Sequence, residues 1–412
     1  MPSTYHVITA EREPEHKVSL WTLLWTFLKI GSTTFGGFMA LISVVQNYAV
    51  ERKKWLKHED MLDGVSLATI LPGPVAVNVV GYVGYELRGW RGAVVSICSV
   101  MLPSFLIIVS LTYAYFTYGQ SPAVRGVFKG FLPAVAAIIL AAAWNMGVKT
   151  VKGVREGAIA VAAFILLLTV HGFFITVAII AGGGLVGWLL FHNAPSAPPK
   201  GPAAGQDAGK SGTGLAGGVK TSTNAVAAVS MGAAPFFTLN TALALKLLVT
   251  FGSMSLLLFG GGYVFIPMMQ RVIVDANGWV THKEFIDGIA LGQIMPGPIL
   301  ISAAFFGYKV AGVLGAAAAT VGMFGPPAIV MIVCTHFLDR IKKSETIKAA
   351  LRGIRSGVIG MIAAAAVVVA MTAQPNWVSL LIFTATLVAI LRYKVEVVWI
   401  IPIAGVIGLF LY

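Results

Sequence analysis

Leu71-Pro72-Gly73-Pro74-Val75 recurs, shifted by 224 residues, as Met295-Pro296-Gly297-Pro298-Ile299. Two prolines around a glycine cannot continue an α-helix, because proline lacks the amide donor and drives its predecessor out of helical backbone angles. Yet each copy lies inside an apolar run, Asp63 to Leu87 and Asp287 to Val310. Backbone freed by such a break cannot face hydrocarbon and must face protein or water. Proline suits a first helical turn, so the residues after Pro74 and Pro298 begin new half-helices. Their free N–H groups and positive dipole ends point back at the break. A packing kink explains one copy as well as a functional break does. Two aligned copies favour function: an anion site made from helix ends.

The repetition spreads outward from the breaks. The same shift maps Phe35-Gly36-Gly37 onto Phe259-Gly260-Gly261, and Trp55, His58, Asp63 and Gly64 onto Trp279, His282, Asp287 and Gly288. Over residues 35–74 fifteen of forty positions are identical without a gap, where chance gives about three. With one deletion the register continues: Gly84-Tyr85 onto Gly307-Tyr308, Gly92 onto Gly315, Pro103 onto Pro326, and later Arg125-Gly126 onto Arg352-Gly353. Paired membrane units of this kind are typical of secondary transporters.

Composition puts both units in a bilayer. Of 412 residues, 57% are hydrophobic and 11% charged, against about a quarter charged in soluble domains. Apolar runs at 18–45, 64–87, 92–118, 126–147, 157–170 and 172–191 are echoed at 241–269, 286–308, 311–337, 353–372, 377–391 and 395–412. The expected fold is an all-α, polytopic transmembrane bundle of two homologous repeats, with roughly 12–13 membrane segments and helices broken at Pro-Gly-Pro. Residues 1–17 form a polar tail, 18–192 the first repeat, 193–224 a flexible Pro/Gly/Ala/Lys-rich linker and 225–412 the second repeat. The stretch 225–239 is weakly apolar and could add a crossing. No cleavable signal peptide is expected, since the first apolar stretch is too long for one.

The formal net charge of +13 sits in short gaps between apolar runs, as in membrane-flanking loops. Without a basic recognition motif it does not indicate nucleic acid. Cys98 and Cys334 occupy unmatched positions and read as packing residues. Gly205 to Ser211 resembles a phosphate loop but is one residue short and has no strand before it. No metal-ligand set, cofactor motif or catalytic cluster is present.

The candidate substrate-binding residues are Lys29, Gly36, Gly37, Pro72, Gly73, Pro74, Asn78, Gly260, Gly261, Gln293, Pro296, Gly297, Pro298 and Ser302. The glycine runs permit an unwound turn or close helix contact, and could lie opposite the Pro-Gly-Pro breaks across one cavity. Asn78, Gln293 and Ser302 supply neutral donors beside the breaks, and Lys29 is the most deeply placed charge of the first segment. His58, Asp63, His282 and Asp287 are structural or proton-coupling candidates. For the two aspartates helix N-capping is the favoured reading.

Taken in order, the Phe-Gly-Gly segment, the Trp-to-Asp-Gly loop, the Pro-Gly-Pro break and the Gly-Tyr-x-x-x-Gly-x-x-Gly stretch resemble the chromate ion transporter family in its long, two-domain form. The resemblance covers both halves. It implies export of chromate, with sulfate as natural competitor, across the bacterial inner membrane. It also implies drive by the proton gradient and chromate resistance; a homodimer is the oligomer to consider. An anion channel, or a transporter of sulfate or another oxyanion, would use the same half-helix ends. The first copy departs from the second at Phe38 against Gly262 and at Asn47 against Arg271.

Loop charge bears on orientation. The loop after the third segment carries Arg125 and Lys129 in the first half, but Arg340, Lys342, Lys343, Lys348, Arg352 and Arg355 in the second. The first half's cluster, Lys149, Lys152 and Arg155, comes one loop later. Positive loops favour the cytoplasm, so the halves are expected to lie inverted. Six apolar runs per half oppose that unless 225–239 crosses.

Overall fold

The computed structural model describes residues 18–34, 37–118, 122–170, 173–191, 241–258, 262, 265–337, 344–372 and 376–411. Among these residues there are fourteen α-helices and no strand. The first half comprises α1 (Leu20–Thr33), α2 (Gly37–Gln46), α3 (His58–Ile70), α4 (Val75–Tyr118), α5 (Pro122–Thr150), α6 (Val154–Thr169) and α7 (Phe173–Phe191). The second follows the same order: α8 (Thr241–Ser255), α9 (Phe265–Gln270), α10 (His282–Ile294), α11 (Ser302–Thr335), α12 (Glu345–Thr372), α13 (Trp377–Tyr393) and α14 (Val397–Leu411). Matched π-helical turns, Asn47–Arg52 and Arg271–Ala276, follow α2 and α9.

Four helical stretches are long and apolar enough to cross a bilayer: Val75–Tyr118, Gly126–Val148, Ile299–Thr335 and Glu345–Ala370. Leu23, Phe27, Phe251, Phe285, Phe305 and Phe306 are fully buried, while Trp21, Leu106, Val321, Ile329, Leu380 and Phe410 are exposed. An apolar exterior of this size around an apolar core belongs in lipid. This is a multi-pass membrane protein.

The longest helices are not straight. α4 leaves helical geometry at Arg88 (φ −150°) and Gly89 (φ 59°), and α11 does so at Ala311 (φ −144°) and Gly312 (φ 60°). In a straight helix, residues eight apart stand about 12 Å from each other. Here Gly84 packs backbone to backbone on Gly92, and Gly307 on Gly315. The arms therefore run antiparallel. In α4 a short inner arm (75–87) turns into a long outer arm (90–118); in α11 the arms are 302–310 and 313–335.

Each inner arm also packs against the helix before the break. Gly64 of α3 lies on the Tyr82 ring, and Gly288 of α10 on the rings of Phe305 and Phe306. The result is two helical hairpins with Pro-Gly-Pro at their tips. α3 and α10 have 13 residues each, about 20 Å of rise, short of the ~30 Å hydrocarbon core. The apolar runs 64–87 and 286–308 are thus mostly the tips and arms of hairpins that go in and return.

The two halves interlock. α5 packs on α13 and α14 of the second half, and α12 packs on α6 and α7 of the first. Small residues set these contacts, as expected where backbones must approach without a hydrophobic driving force. Gly126 and Gly130 meet Gly408 and Ala404; Gly183 and Gly187 meet Gly353; Gly360 meets Ala160. Polar ties reinforce the exchange. Arg352 Nε donates to Glu156 Oε1 at 2.8 Å, and Glu156 is 2% exposed. Arg271 donates from Nη2 to the Leu167 carbonyl at 2.6 Å, capping the end of α6.

Candidate functional site

Each hairpin tip is pinned by the opposite repeat. The Gly73 N–H donates to the Leu258 carbonyl at 2.6 Å, and the Gly297 N–H donates to the Thr34 carbonyl at 3.0 Å. Thr34 and Leu258 are matched positions, each the last residue before a Phe-Gly-Gly segment. Four discontinuities are therefore drawn together in two reciprocal pairs. Gly36, Gly260 and Gly261 themselves lie outside the described residues, as do Phe35 and Phe259; Gly37 is the first residue of α2. At the tips Gly73 (φ +108°) and Gly297 (φ +104°) hold backbone angles that side chains rarely adopt.

The tips differ in their lining. A Cβ on Gly73 would strike the Pro327 ring, whereas a Cβ on Gly297 would strike the Ser104 hydroxyl. Ser104 and Pro327 are matched positions. Ser104 Oγ donates to the Pro296 carbonyl at 2.6 Å. Asn78, fully buried, folds its Nδ2 back onto the Pro72 carbonyl at 3.1 Å. Gln293, 4% exposed, has neither amide atom partnered, and Ser302 Oγ is also buried without a partner. Such atoms in a native interior call for an occupant or a function.

The remaining sequence candidates lie farther out. Lys29 is on the exposed face of α1, whose buried face is Leu23, Phe27 and Ile30; no hydrogen bond or ion pair joins its side chain to either tip among the described residues. His58 and His282 are the first residues of α3 and α10, at the hairpin roots. His282 Nε2 is 3.7 Å from Asp275 Oδ1.

The capping expectation for Asp63 and Asp287 is corrected. Both are inside their helices, which begin at His58 and His282. The cap of α10 is Thr281, whose Oγ1 accepts from the Glu284 N–H while Glu284 Oε2 accepts from the Thr281 N–H. That is the reciprocal capping box. At α3 the Lys57 N–H donates to Asp60 Oδ2. Partial burial works against the Glu284 charge, yet the Thr281 amide and the Lys309 ammonium (3.0 Å) hold its carboxyl below the usual range.

Freed from capping, Asp287 is fully buried. Its Oδ2 accepts from Tyr115 Oη at 2.6 Å and from Lys283 Nζ at 3.1 Å, and its Oδ1 has no partner. Tyr115 comes from the long arm of α4, in the other repeat, and stacks edge-on against Phe128. Asp63, the matched residue, is only half-buried. Tyr115, Lys283 and Arg355, whose Nη2 donates to the Thr69 carbonyl of α3 at 3.0 Å, belong to none of the sequence motifs. Tyr115 and Arg355 reach a hairpin from the opposite repeat, which no local motif reports. Lys283 did leave a signal, standing four residues before Asp287 on one helix.

Two hairpins with broken tips, each pinned across an internal repeat in an all-helical membrane bundle, define a membrane protein of transporter architecture. The particular family follows from sequence comparison. The chromate transporter family model matches residues 21–188 and again 245–409, and the chain belongs to that family. A chromate transport protein of Pseudomonas aeruginosa is 30% identical over 420 residues, covering 99% of this chain and 96% of that protein. One from Cupriavidus metallidurans is 29% identical over 401 residues, 96% and 94% of the two chains. An uncharacterized transporter of Bacillus subtilis, YwrA, is 29% identical over 157 residues, which cover 37% of this chain but 88% of that protein. No solved structure matches.

Proposed function

We propose that this protein is a secondary transporter that exports chromate, with sulfate as competitor, across the bacterial inner membrane at the expense of the proton gradient, and so confers chromate resistance. The observation that carries the reading is the reciprocal pinning of the Pro-Gly-Pro tips, Gly73 to Leu258 and Gly297 to Thr34. It concentrates half-helix ends and backbone N–H groups at one level of a membrane protein. Each end offers about half a positive charge, enough to attract a dianion without holding it as firmly as a cluster of lysines. The names of the relatives supply the oxyanion.

Alternating access requires the two hairpins to open to opposite sides, and the geometry supports that. The outer arm of α4 leads away from the root of the first hairpin, so Tyr115 lies at the far end from Tyr85. Yet Tyr115 bonds Asp287, on the root half of the second hairpin. Conversely His336, just past α11, lies 3.1 Å from the Tyr85 hydroxyl near the first root. The roots thus stand at opposite ends of the molecule. We count α1–α2 as one crossing and the hairpin as none; with the outer arm of α4, α5, α6 and α7 that makes five in the first half, so inversion needs no crossing at 225–239. Asp63 and Asp287, carboxyls at matched depth in the two hairpins, are the proposed proton carriers.

The test is uptake of labelled chromate and sulfate into proteoliposomes with an imposed proton gradient. Accumulation that collapses with a protonophore is expected. Anion flux that is electrically conductive and indifferent to the gradient would make the protein a channel instead.

A further inference from the structure

We propose that Arg355 is the cationic ligand of the transported oxyanion, holding it at the tip of the first hairpin. The assignment rests on the oxyanion-transport reading above and deepens it. Arg355 belongs to α12, in the second repeat, and reaches into the first. Its Nη2 donates to the Thr69 carbonyl at 3.0 Å, in the last turn of α3 just before the break. It makes no other hydrogen bond and has no carboxylate within ion-pair distance among the described residues. A guanidinium with one donor spent on a carbonyl, part-buried in the middle of a membrane protein, is costly to keep there. Its neighbour Arg352, one turn earlier, is neutralised by Glu156. Arg355 is left charged, and its planar fork suits two oxygens of a tetrahedral dianion.

Symmetry argues that this charge is not scaffolding. The register that matches Arg125-Gly126 with Arg352-Gly353 puts Phe128 opposite Arg355. Phe128 sits in an aromatic cluster with Tyr115 and Phe131. The fold therefore packs well with an aromatic ring at this position, and the arginine is specific to the first hairpin.

Access points the same way. Along α3 one face, Leu62, Asp63, Ser66, Thr69 and Ile70, is half-buried or exposed and leads from the root to the tip. The matched residues of α10 from Ile286 to Gln293 are all buried. A face that carries Asp63 and ends at an arginine is too polar for acyl chains. It is the approach to the first tip, with Arg355 at its inner end; the acids Glu59 and Asp63 stand nearer the root.

Two measurements test the proposal. In wild-type protein in nanodiscs, phenylglyoxal modification of Arg355 is followed by mass spectrometry with and without sulfate or chromate. Either anion should slow modification of Arg355 at least fivefold and leave Arg352 unaffected. In vesicles with matched protein levels, Arg355→Gln should raise the chromate concentration for half-maximal uptake at least tenfold, and Arg355→Lys should raise it less. If wild-type protein transports chromate but the anions give no protection, the Arg355 assignment is overturned and the transporter reading stands. The protection experiment decides even if the variants fail to insert. Wild-type protein that transports neither anion overturns the transport reading and the assignment with it.

Discussion

The two hairpins descend from one sequence and have been finished differently. In the first, the tip is filled by the Pro327 ring, Asn78 closes back on Pro72, an arginine from the other repeat waits at Thr69, and one flank of α3 is accessible. In the second, a serine replaces the proline, neither amide atom of Gln293 nor the Ser302 hydroxyl is partnered whereas Asn78 leaves only its Oδ1 so, and the flank of α10 is sealed beneath Tyr115 and Phe128. The charged group has moved too: Lys283 stands on the second hairpin where the first has Glu59. On the proposed inverted topology, one flank open and the other shut is what a single snapshot of alternating access would look like. On that reading the difference is partly divergence, in the residues that are not matched, and partly conformation, in the matched residues that are differently buried.

The sharpest way to break the comparison is at the glycines. Gly73→Leu and Gly297→Leu should both abolish chromate transport while the protein still inserts, because the positive φ and the filled space reject a side chain at either tip. Alanine should separate them. At Gly73 the new Cβ meets a rigid proline ring; at Gly297 it meets a hydroxyl that can rotate away at the loss of one hydrogen bond, worth about 1 kcal/mol. Gly73→Ala should therefore lose transport and Gly297→Ala keep part of it. Equal loss would mean that the tips are held alike.

Orientation is tested by reporter fusions after residues 120 and 345, which should report opposite sides of the membrane. The same side would remove the inversion, and with it the reading of the hairpins as opposing gates.

Next in size is the seal on the second hairpin. Lys283→Met leaves the buried Asp287 with Tyr115 as its sole partner; the Lys283 ammonium is half-exposed, so the loss is that of one charged hydrogen bond, about 1.5–3 kcal/mol. A clear drop in melting temperature is expected. Glu59→Met, at the matched position, should change it little, because no buried carboxylate leans on Glu59. Tyr115→Phe removes one bond to the same oxygen and should cost about 1–3 kcal/mol.

Smaller still are the amides. Asn78→Ala removes a bond that closes the first tip and should lower both stability and transport. Gln293→Ala breaks no internal bond, so its effect should be confined to substrate, a loss in apparent chromate affinity consistent with roughly 1 kcal/mol. The smallest effect concerns Glu284. Its carboxyl titrates lower in the folded protein than its ordinary 4.5, so its stabilisation is full above about pH 4.5 and is lost as pH falls through the lowered folded value. Thermal melts of wild type and Glu284→Gln should differ near neutrality and converge in acid.

Much of this was legible in the chain itself. The repeated Pro-Gly-Pro marked both tips, and the 224-residue register paired them. Hydropathy could not tell that 64–87 goes in and comes back, because an apolar crossing and an apolar hairpin have the same composition; only the antiparallel contact of Gly64 with Tyr82 distinguishes them. The cap of α10 is legible as Thr281-x-x-Glu284, but Asp287, an acid near the expected helix start, offers a competing cap that the sequence alone does not exclude. Arg355 stood out only as loop charge. Its role depends on α12 lying against the other half, a relation across 286 residues of chain that leaves no local trace.

The exchange of α5 and α12 between halves constrains how the molecule can move. Two halves that merely abutted could rock as separate rigid bodies. Here each half holds helices of the other, clasped at Gly130 with Ala404 and at Gly353 with Gly187, so a rocking axis between residues 1–192 and 225–412 would have to tear both clasps. The parts that can shift without tearing a clasp are the hairpins, held to the frame by single side-chain ties such as Tyr115 to Asp287 and Arg355 to Thr69. The machine divides not along its sequence but between a woven frame, contributed equally by both halves, and two fingers that the frame carries.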